Sequence, residues 1–179
     1  QNPSIKGLSK AVLVTGGAGY VGSHTCKFLA KHGFTPIVID RDLKTKFKPA
    51  EFGPIFDINL PQEIERLEEI IKRFNITSCI HFAGSASVAE SVKNPSQYYK
   101  NNVISTLVLL DKLIECGVKT FVYSSSAATY GDPGFRKCRE SDVPNPISAY
   151  GSSKLMMEMI CKDYLRAYNL SSVGLRYFN

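Results

Sequence analysis

Between the apolar run Ala11-Val12-Leu13-Val14 and the helical stretch from His24 to Gly33 stands Thr15-Gly16-Gly17-Ala18-Gly19-Tyr20-Val21-Gly22. The run reads as a buried strand and the stretch as a helix closed by glycine. A strand that turns at once into a helix leaves few folds open, and Gly17, Gly19 and Gly22 say what the turn is for. Glycine permits positive φ, lets backbone approach a pyrophosphate, and lets helix and strand pack closely. The helix start then offers free N–H groups and a partial positive charge to phosphate. A second apolar run, Pro36-Ile37-Val38-Ile39, ends in Asp40. A carboxylate there accepts hydrogen bonds from the adenosine ribose and repels a 2′-phosphate, which favours NAD over NADP. Arg41 beside it is the residue that would tolerate the extra phosphate.

Further along, apolar runs and helical patterns alternate. Strands are expected at 11–15, 35–40, 54–57, 78–83, 118–124 and 171–176, and helices at about 20–32, 61–74, 97–116 and 148–169. Pro61 is expected at the start of the second helix, with early acids Glu63 and Glu65 suiting its dipole. Residues 41–53 read as a charged surface loop. Strand, helix and strand repeated in this way imply an α/β fold, a doubly wound parallel sheet covered on both faces. Residues 1–10 are expected to be an N-terminal extension and 11–179 one dinucleotide-binding domain. Two helices are apolar beyond one stripe. In the third, Val103, Leu107, Leu110 and Ile114 share a face, with Ile104, Leu109 and Leu113 off it. The fourth carries Leu155, Met156, Met157, Met159, Ile160, Tyr164 and Leu165. Either both are deeply buried, or each packs on the sheet and on a second copy in a homodimer.

Other classes are set aside by composition. No apolar stretch approaches a membrane span, and the polar first ten residues are not expected to be a signal peptide. Gln1 in place of an initiator methionine suggests a longer gene product. Cys26, Cys79, Cys116, Cys138 and Cys161 are odd in number and scattered. That pattern suits free thiols in a reducing, cytoplasmic setting and argues against a metal site. The net charge of +6 is spread without a dense basic run, so nucleic-acid binding is not expected. His24 and His32 read as surface or packing residues and His81 as a hydrogen-bonded core residue near the cofactor.

The chemistry-bearing group lies later. Tyr150-Gly151-Ser152-Ser153-Lys154 opens the fourth helix, and a spacing of four puts phenol and ammonium on one face. An ammonium near a phenol favours the phenolate, which makes Tyr150 a candidate base. Lys154 could also hold a cofactor ribose. The preceding strand ends in Ser124-Ser125-Ser126, and hydroxyls at a strand's carboxyl end face the crevice where such sheets bind ligands.

The order of these motifs resembles the extended short-chain dehydrogenase/reductase family, in its NAD-dependent epimerase/dehydratase branch acting on nucleotide sugars. Besides the glycine turn, the likeness rests on His81-Phe82-Ala83-Gly84, Glu90-Ser91-Val92, Tyr98 to Val103, Ser124 to Gly131, Tyr150 to Leu155 and Arg176-Tyr177-Phe178-Asn179. It implies that Gly16, Gly19, Tyr20, Val21 and Gly22 lie against the NAD phosphates and Asp40 and Arg41 at the adenosine ribose. Asp57 and Ile58 would lie near the adenine. Phe82, Ala83, Gly84 and Asn101 would line the dinucleotide, with Lys154 on it and Phe178 at the nicotinamide end. Ser126, Tyr150 and Lys154 would be the catalytic trio, and Ser126, Tyr150 and Asn179 would meet a UDP-sugar.

The resemblance implies epimerisation at C4 through a 4-keto intermediate, with UDP-glucose and UDP-galactose the first choice. Dehydratases carry Asp-Glu after the strand's hydroxyl, and related decarboxylases a glutamate at the second position. This chain has Ala127-Ala128 there, which leaves redox without elimination. Ala86 stands where several family members have a lysine, and Ala128-Thr129 replaces a usual Thr-Val. The alternatives are a nucleotide-sugar or ketone reductase or dehydrogenase of the same family, or a non-catalytic NAD-binding module. Family members continue beyond the sixth strand into a lobe that grips the sugar. The 179 residues are therefore expected to bind NAD and to epimerise poorly alone.

Overall fold

The computed structural model describes residues 10–41, 43 and 51–178. Residues 1–9 of the expected extension, most of the basic loop after Asp40, and Asn179 lie outside the described residues. Six strands pair in parallel throughout: β1 (Ala11–Thr15), β2 (Thr35–Asp40), β3 (Ile55–Asp57), β4 (Ser78–His81), β5 (Thr120–Ser126) and β6 (Ser171–Tyr177). Their order is β3-β2-β1-β4-β5-β6. The direction of winding therefore reverses between β1 and β4, and a crevice opens at the carboxyl ends there.

Alternation along the strands divides the apolar side chains between two layers. Leu13, Ile37, Ile39 and Phe121 join Leu67 of α2 (Ile64–Phe74), Leu109 and Leu113 of α5 (Ser105–Glu115), and Met157 of α6 (Ala149–Tyr168). Val12, Val14 and Val38 face the other way, against Cys26 and Leu29 of α1 (Tyr20–Lys31). The expected doubly wound α/β sheet is the observed one.

Local chemistry moved several boundaries. The second helix begins at Ile64, not Pro61, because residues 60–63 form a turn in which Glu63 Oε2 accepts the Asn59 N–H at 2.9 Å. Strand β4 stops at His81, and β5 runs on to Ser126. Two short elements were not expected: α3 (Val88–Lys93), capped by Ser87 Oγ accepting the Glu90 N–H at 3.2 Å, and a 3₁₀ turn at Ala127–Tyr130.

The third expected helix is three pieces: α4 (Pro95–Tyr98), a π turn (Tyr99–Ile104) and α5. A π turn inserts a residue and rotates everything after it, so a stripe counted at 3.6 residues across it loses phase. The buried face is Asn102, Thr106, Leu109, Leu110 and Leu113, whereas Ile104 and Leu107 are exposed. No helix among the described residues is long and apolar enough to cross a membrane.

Candidate active site

The turn from β1 into α1 is shaped by what its glycines exclude. Gly16 has φ +67°, and its amide donates to the Ile39 carbonyl at 2.9 Å. A Cβ on Gly22 would stand 2.3 Å from the Gly16 carbonyl oxygen and 2.7 Å from Gly17 Cα, so only glycine lets α1 start this close to the turn. The helix begins after Gly19 with no side-chain cap and no acid in its first turn. Its first N–H groups and its dipole are left directed at the crevice. Asp40 is buried at the end of β2, where Oδ2 accepts the Ala18 N–H at 3.0 Å and Oδ1 the Arg41 N–H at 2.8 Å. The carboxylate thus orders the glycine turn and lies beside it.

A cleft of about 190 Å³ occupies the switch point. Of the residues expected at a dinucleotide, Gly16, Gly19, Asp40, Arg41, Ile58, Phe82, Ala83, Gly84 and Asn101 line it. Gly22 lies beneath the turn. Tyr20 and Val21 start α1 at the rim, with the Tyr20 side of the helix open to solvent (82% exposed). Asp57 pairs in register with Asp40 but is exposed and does not line the cleft. The cleft also includes His81, expected near the cofactor, together with Thr15, Ile39, Leu60 and Ser105, which pattern reading did not assign to it.

Behind the cleft runs a buried polar chain whose proton directions are fixed. Thr106 Oγ1 donates to the Asn102 carbonyl at 2.6 Å, so toward His81 Nε2, 3.0 Å away, it accepts. Burial, with the Lys154 charge adding to it, pushes the His81 pKa down to about 3, so the ring is neutral. Its Nδ1 therefore accepts from Thr15 Oγ1 at 2.5 Å, and Thr15 in turn accepts the Ala83 N–H at 3.3 Å. Asn102, projected by the π turn, accepts the Ser85 N–H at 2.8 Å through Oδ1. Its Nδ2 donates to the Ser85 carbonyl at 3.0 Å and to Ser153 Oγ at 3.1 Å. Ser153 then donates to the Tyr150 carbonyl at 2.7 Å. The loop after β4 and the start of α6 are thereby fixed to one another.

Ser148 caps α6, its Oγ accepting the Gly151 N–H at 3.1 Å. A Cβ at Gly151 would come within 2.5 Å of the Ala128 carbonyl, so glycine brings the first turn of α6 against the 3₁₀ turn that follows Ser126. Ser126 Oγ accepts the Ala128 N–H at 3.1 Å. Tyr150 is half-buried with its ring edge-on to Tyr98, 6.5 Å between centroids. Lys154 is 5% exposed; its Nζ donates to the Ser124 carbonyl at 2.9 Å and to Ser124 Oγ at 3.2 Å. That ammonium lies 5.9 Å from the Tyr150 ring centroid. Burial brings the Lys154 pKa down to about 8, so it is mainly charged at neutral pH.

Phe178 follows β6, is 64% exposed, and tilts against Tyr130 at 6.2 Å between centroids, in a separate hollow along β6. Ser124 holds Lys154 through both its carbonyl and its hydroxyl. Asn102 was missed as a support; the paired Asn101-Asn102 was its sequence signal. His24 and His32 are exposed, as expected of surface residues.

Residues 12–179 match the NAD dependent epimerase/dehydratase family. The UDP-glucose 4-epimerase of Rhizobium meliloti (strain 1021) is 42% identical over 168 residues, which are 94% of this chain and 51% of that protein. The Arabidopsis thaliana UDP-glucose 4-epimerase 2 is 37% identical, over 96% of this chain and 52% of that protein. The crystal structure of the Brucella ovis UDP-glucose 4-epimerase in complex with NAD superposes with a TM-score of 0.89 at 42% identity, covering 96% of this chain and 52% of that one. The UDP-Glc/GlcNAc 4-epimerase of Campylobacter jejuni gives 0.87 at 34% identity, covering 95% and 54%. The chain spans about half the length of the curated relatives it matches.

Proposed function

The chain belongs to the NAD dependent epimerase/dehydratase family, and on that premise we propose that it works in epimerisation at C4 of a nucleoside-diphosphate sugar, UDP-glucose and UDP-galactose first. One observation carries the reading: the switch-point cleft lined by the glycine turn and Asp40 is tied through the Asn102–Ser153 bridge to the helix that bears Tyr150 and Lys154, with no acid–base pair for elimination at Ala127-Ala128. The cleft fits NAD on its own evidence. The third-glycine position admits no Cβ, the α1 N-terminus is uncapped, and Asp40 stands at the β2 end where a ribose diol would meet it.

Gly16, Gly19 and the α1 start would hold the pyrophosphate, Asp40 the ribose, and Ile58 the adenine. Bound NAD supplies hydride chemistry that no side chain has, taking a hydride from sugar C4 and giving it back. Tyr150 takes the O4 proton as the 4-keto sugar forms, and returns it when C4 is reduced on the other face. The Lys154 ammonium stands 5.9 Å from the Tyr150 ring centroid and so places a positive charge beside the acid–base group. Ser126 hydrogen-bonds the reacting oxygen and so steadies the charge that develops on it. Proton and hydride both return to the sugar, so no net oxidation occurs. Exposed Ile104 at the end of the π turn, Leu107 on α5, and Met156, Met159 and Leu165 on α6, support a homodimer through these helices.

The test is conversion of UDP-galactose to UDP-glucose by the full-length protein with NAD, followed beside a Tyr150→Phe variant. The expected result is conversion without net dinucleotide reduction, and a kcat about 10²–10⁴-fold lower in the variant at unchanged NAD affinity. Stoichiometric dinucleotide reduction would identify a dehydrogenase instead. NAD binding with no nucleotide-sugar turnover would leave a binding module.

A further inference from the structure

One helical turn beyond Lys154, the Glu158 carboxylate on α6 is held from two strands at once. Arg176 on β6 donates from Nε to Oε1 at 2.9 Å and from Nη2 to Oε2 at 2.6 Å, a paired fork that fixes the plane of both groups. Ser125 on β5 donates Oγ to the same Oε1 at 2.5 Å. Both charged side chains are largely covered, Arg176 at 20% and Glu158 at 18% exposed. The same guanidinium lies over the Tyr130 ring, 4.7 Å from the centroid, and Tyr130 closes the 3₁₀ turn that begins directly after Ser126. Burial works against the Glu158 charge, but hydrogen bonds from Arg176 and Ser125 and the Arg176 charge outweigh it. The carboxyl stays below the usual carboxylate range, and the pair is ionised at neutral pH.

Elsewhere α6 is seated on the sheet side by apolar contact, with Met157 and Cys161 in the cluster that holds Phe121 and Tyr123. Such contact is non-directional. A helix sliding by a fraction of its 1.5 Å rise per residue would keep most of it, yet would carry Lys154 off Ser124 and Tyr150 away from the turn after Ser126. The Asn102–Ser153 and Lys154–Ser124 bonds hold the first turns of α6, and the contact at Glu158 adds a directional one that reaches β5, β6 and the turn after Ser126 together.

We infer that Ser125, Glu158 and Arg176 form a positioning clamp for the acid–base helix, setting where Tyr150 and Lys154 stand against the end of β5. The inference rests on the acid–base roles proposed above, and the clamp acts through α6 rather than on the sugar.

The experiment follows the Lys154 side chain by NMR in full-length protein carrying ¹³C-labelled lysine, its signal assigned with Lys154→Arg. Wild type is expected to titrate at about 8. In Glu158→Gln, Arg176→Lys and Ser125→Ala the midpoint is expected to rise by about one pH unit as Nζ regains water. The direction is decisive for Glu158→Gln, since losing an acid would by itself lower a lysine's midpoint. Alongside, kcat for UDP-galactose falls about tenfold in these variants while KM stays within about twofold. Ser125→Ala removes one hydrogen bond and no charge, so it answers the question if Glu158→Gln does not fold. Midpoints that stay near 8 in folded variants overturn the clamp, whatever their activity. Wild type that converts no UDP-sugar overturns the functional reading alone, and the lysine titration still decides the clamp.

Discussion

At the β1–β2 end of the sheet the site is made of backbone: a turn at positive φ, a helix that starts against it, and amides aimed into a cleft. At the β5–β6 end it is made of side chains, each held by another: Lys154 by Ser124, Glu158 by Arg176 and Ser125, Tyr130 under Arg176. The difference follows from what each end must do. A pyrophosphate is held by N–H dipoles, which any sequence provides once glycine lets the chain close in. Proton transfer needs particular atoms in a particular register, and register is set by directional contacts between long side chains. The first end should therefore fail when volume is added, and the second when a partner is removed.

The largest effect that would break this contrast is at Gly22. Valine there places a Cβ 2.3 Å from the Gly16 carbonyl oxygen, a backbone atom that can yield only if α1 moves. NAD affinity is expected to fall at least hundredfold in Gly22→Val, about 3 kcal/mol, measured by calorimetric titration. Near-normal affinity would mean that the turn is adaptable and the cleft is not set by backbone.

The same contrast explains what the amino-acid sequence reveals by itself. Glycine spacing, Asp40 at a strand end and the strand–helix alternation are local signals, and they carried the sheet and the glycine-turn and Asp40 side of the cleft, whereas Ile58, Phe82, Ala83, Gly84 and Asn101 came from the family resemblance. Tyr150 and Lys154 are four apart on one helix, so their pairing was local too. Glu158 with Arg176 and Ser125, or His81 with Thr15 and Thr106, are joined only by the fold. The third helix defeated counting for a different reason. Apolar residues stand on both sides of α5, and nothing in the pattern marks that Thr106, Leu109 and Leu113 are buried while Leu107 is exposed.

His81 bridges Thr15 on β1 and Thr106 on α5, which gives a smaller and pH-dependent test. Unfolded, its ring titrates near 6.5; folded, burial and the Lys154 charge hold it at about 3. Between those values the unfolded chain binds a proton that the native state does not, so stability falls as pH falls below about 6.5. The loss attributable to this ring is about 2 kcal/mol between pH 6.5 and 5. Urea unfolding at pH 7 and 5 should show wild type losing that much more than His81→Gln. Parallel losses would mean that the ring is hydrated or charged in the native state, and that Thr15 and Thr106 are not bridged as described.

Asp40 is the side-chain exception at the backbone-built end, so its replacement sharpens the comparison where it is weakest. Its carboxylate accepts the Ala18 and Arg41 amides, at 3.0 and 2.8 Å, so it orders the glycine turn as well as standing where a ribose would lie. Asn in its place keeps the shape and one acceptor oxygen. It loses the charge that strengthens the ribose bonds and repels a 2′-phosphate. NAD affinity in Asp40→Asn is expected to drop about tenfold, about 1.4 kcal/mol, while NADP affinity rises, because Arg41 already lines the cleft beside it. Direct titration with both dinucleotides reads the two changes separately. If NAD weakens and NADP does not gain, Asp40 acts mainly by ordering the glycine turn, and even this side chain serves the backbone.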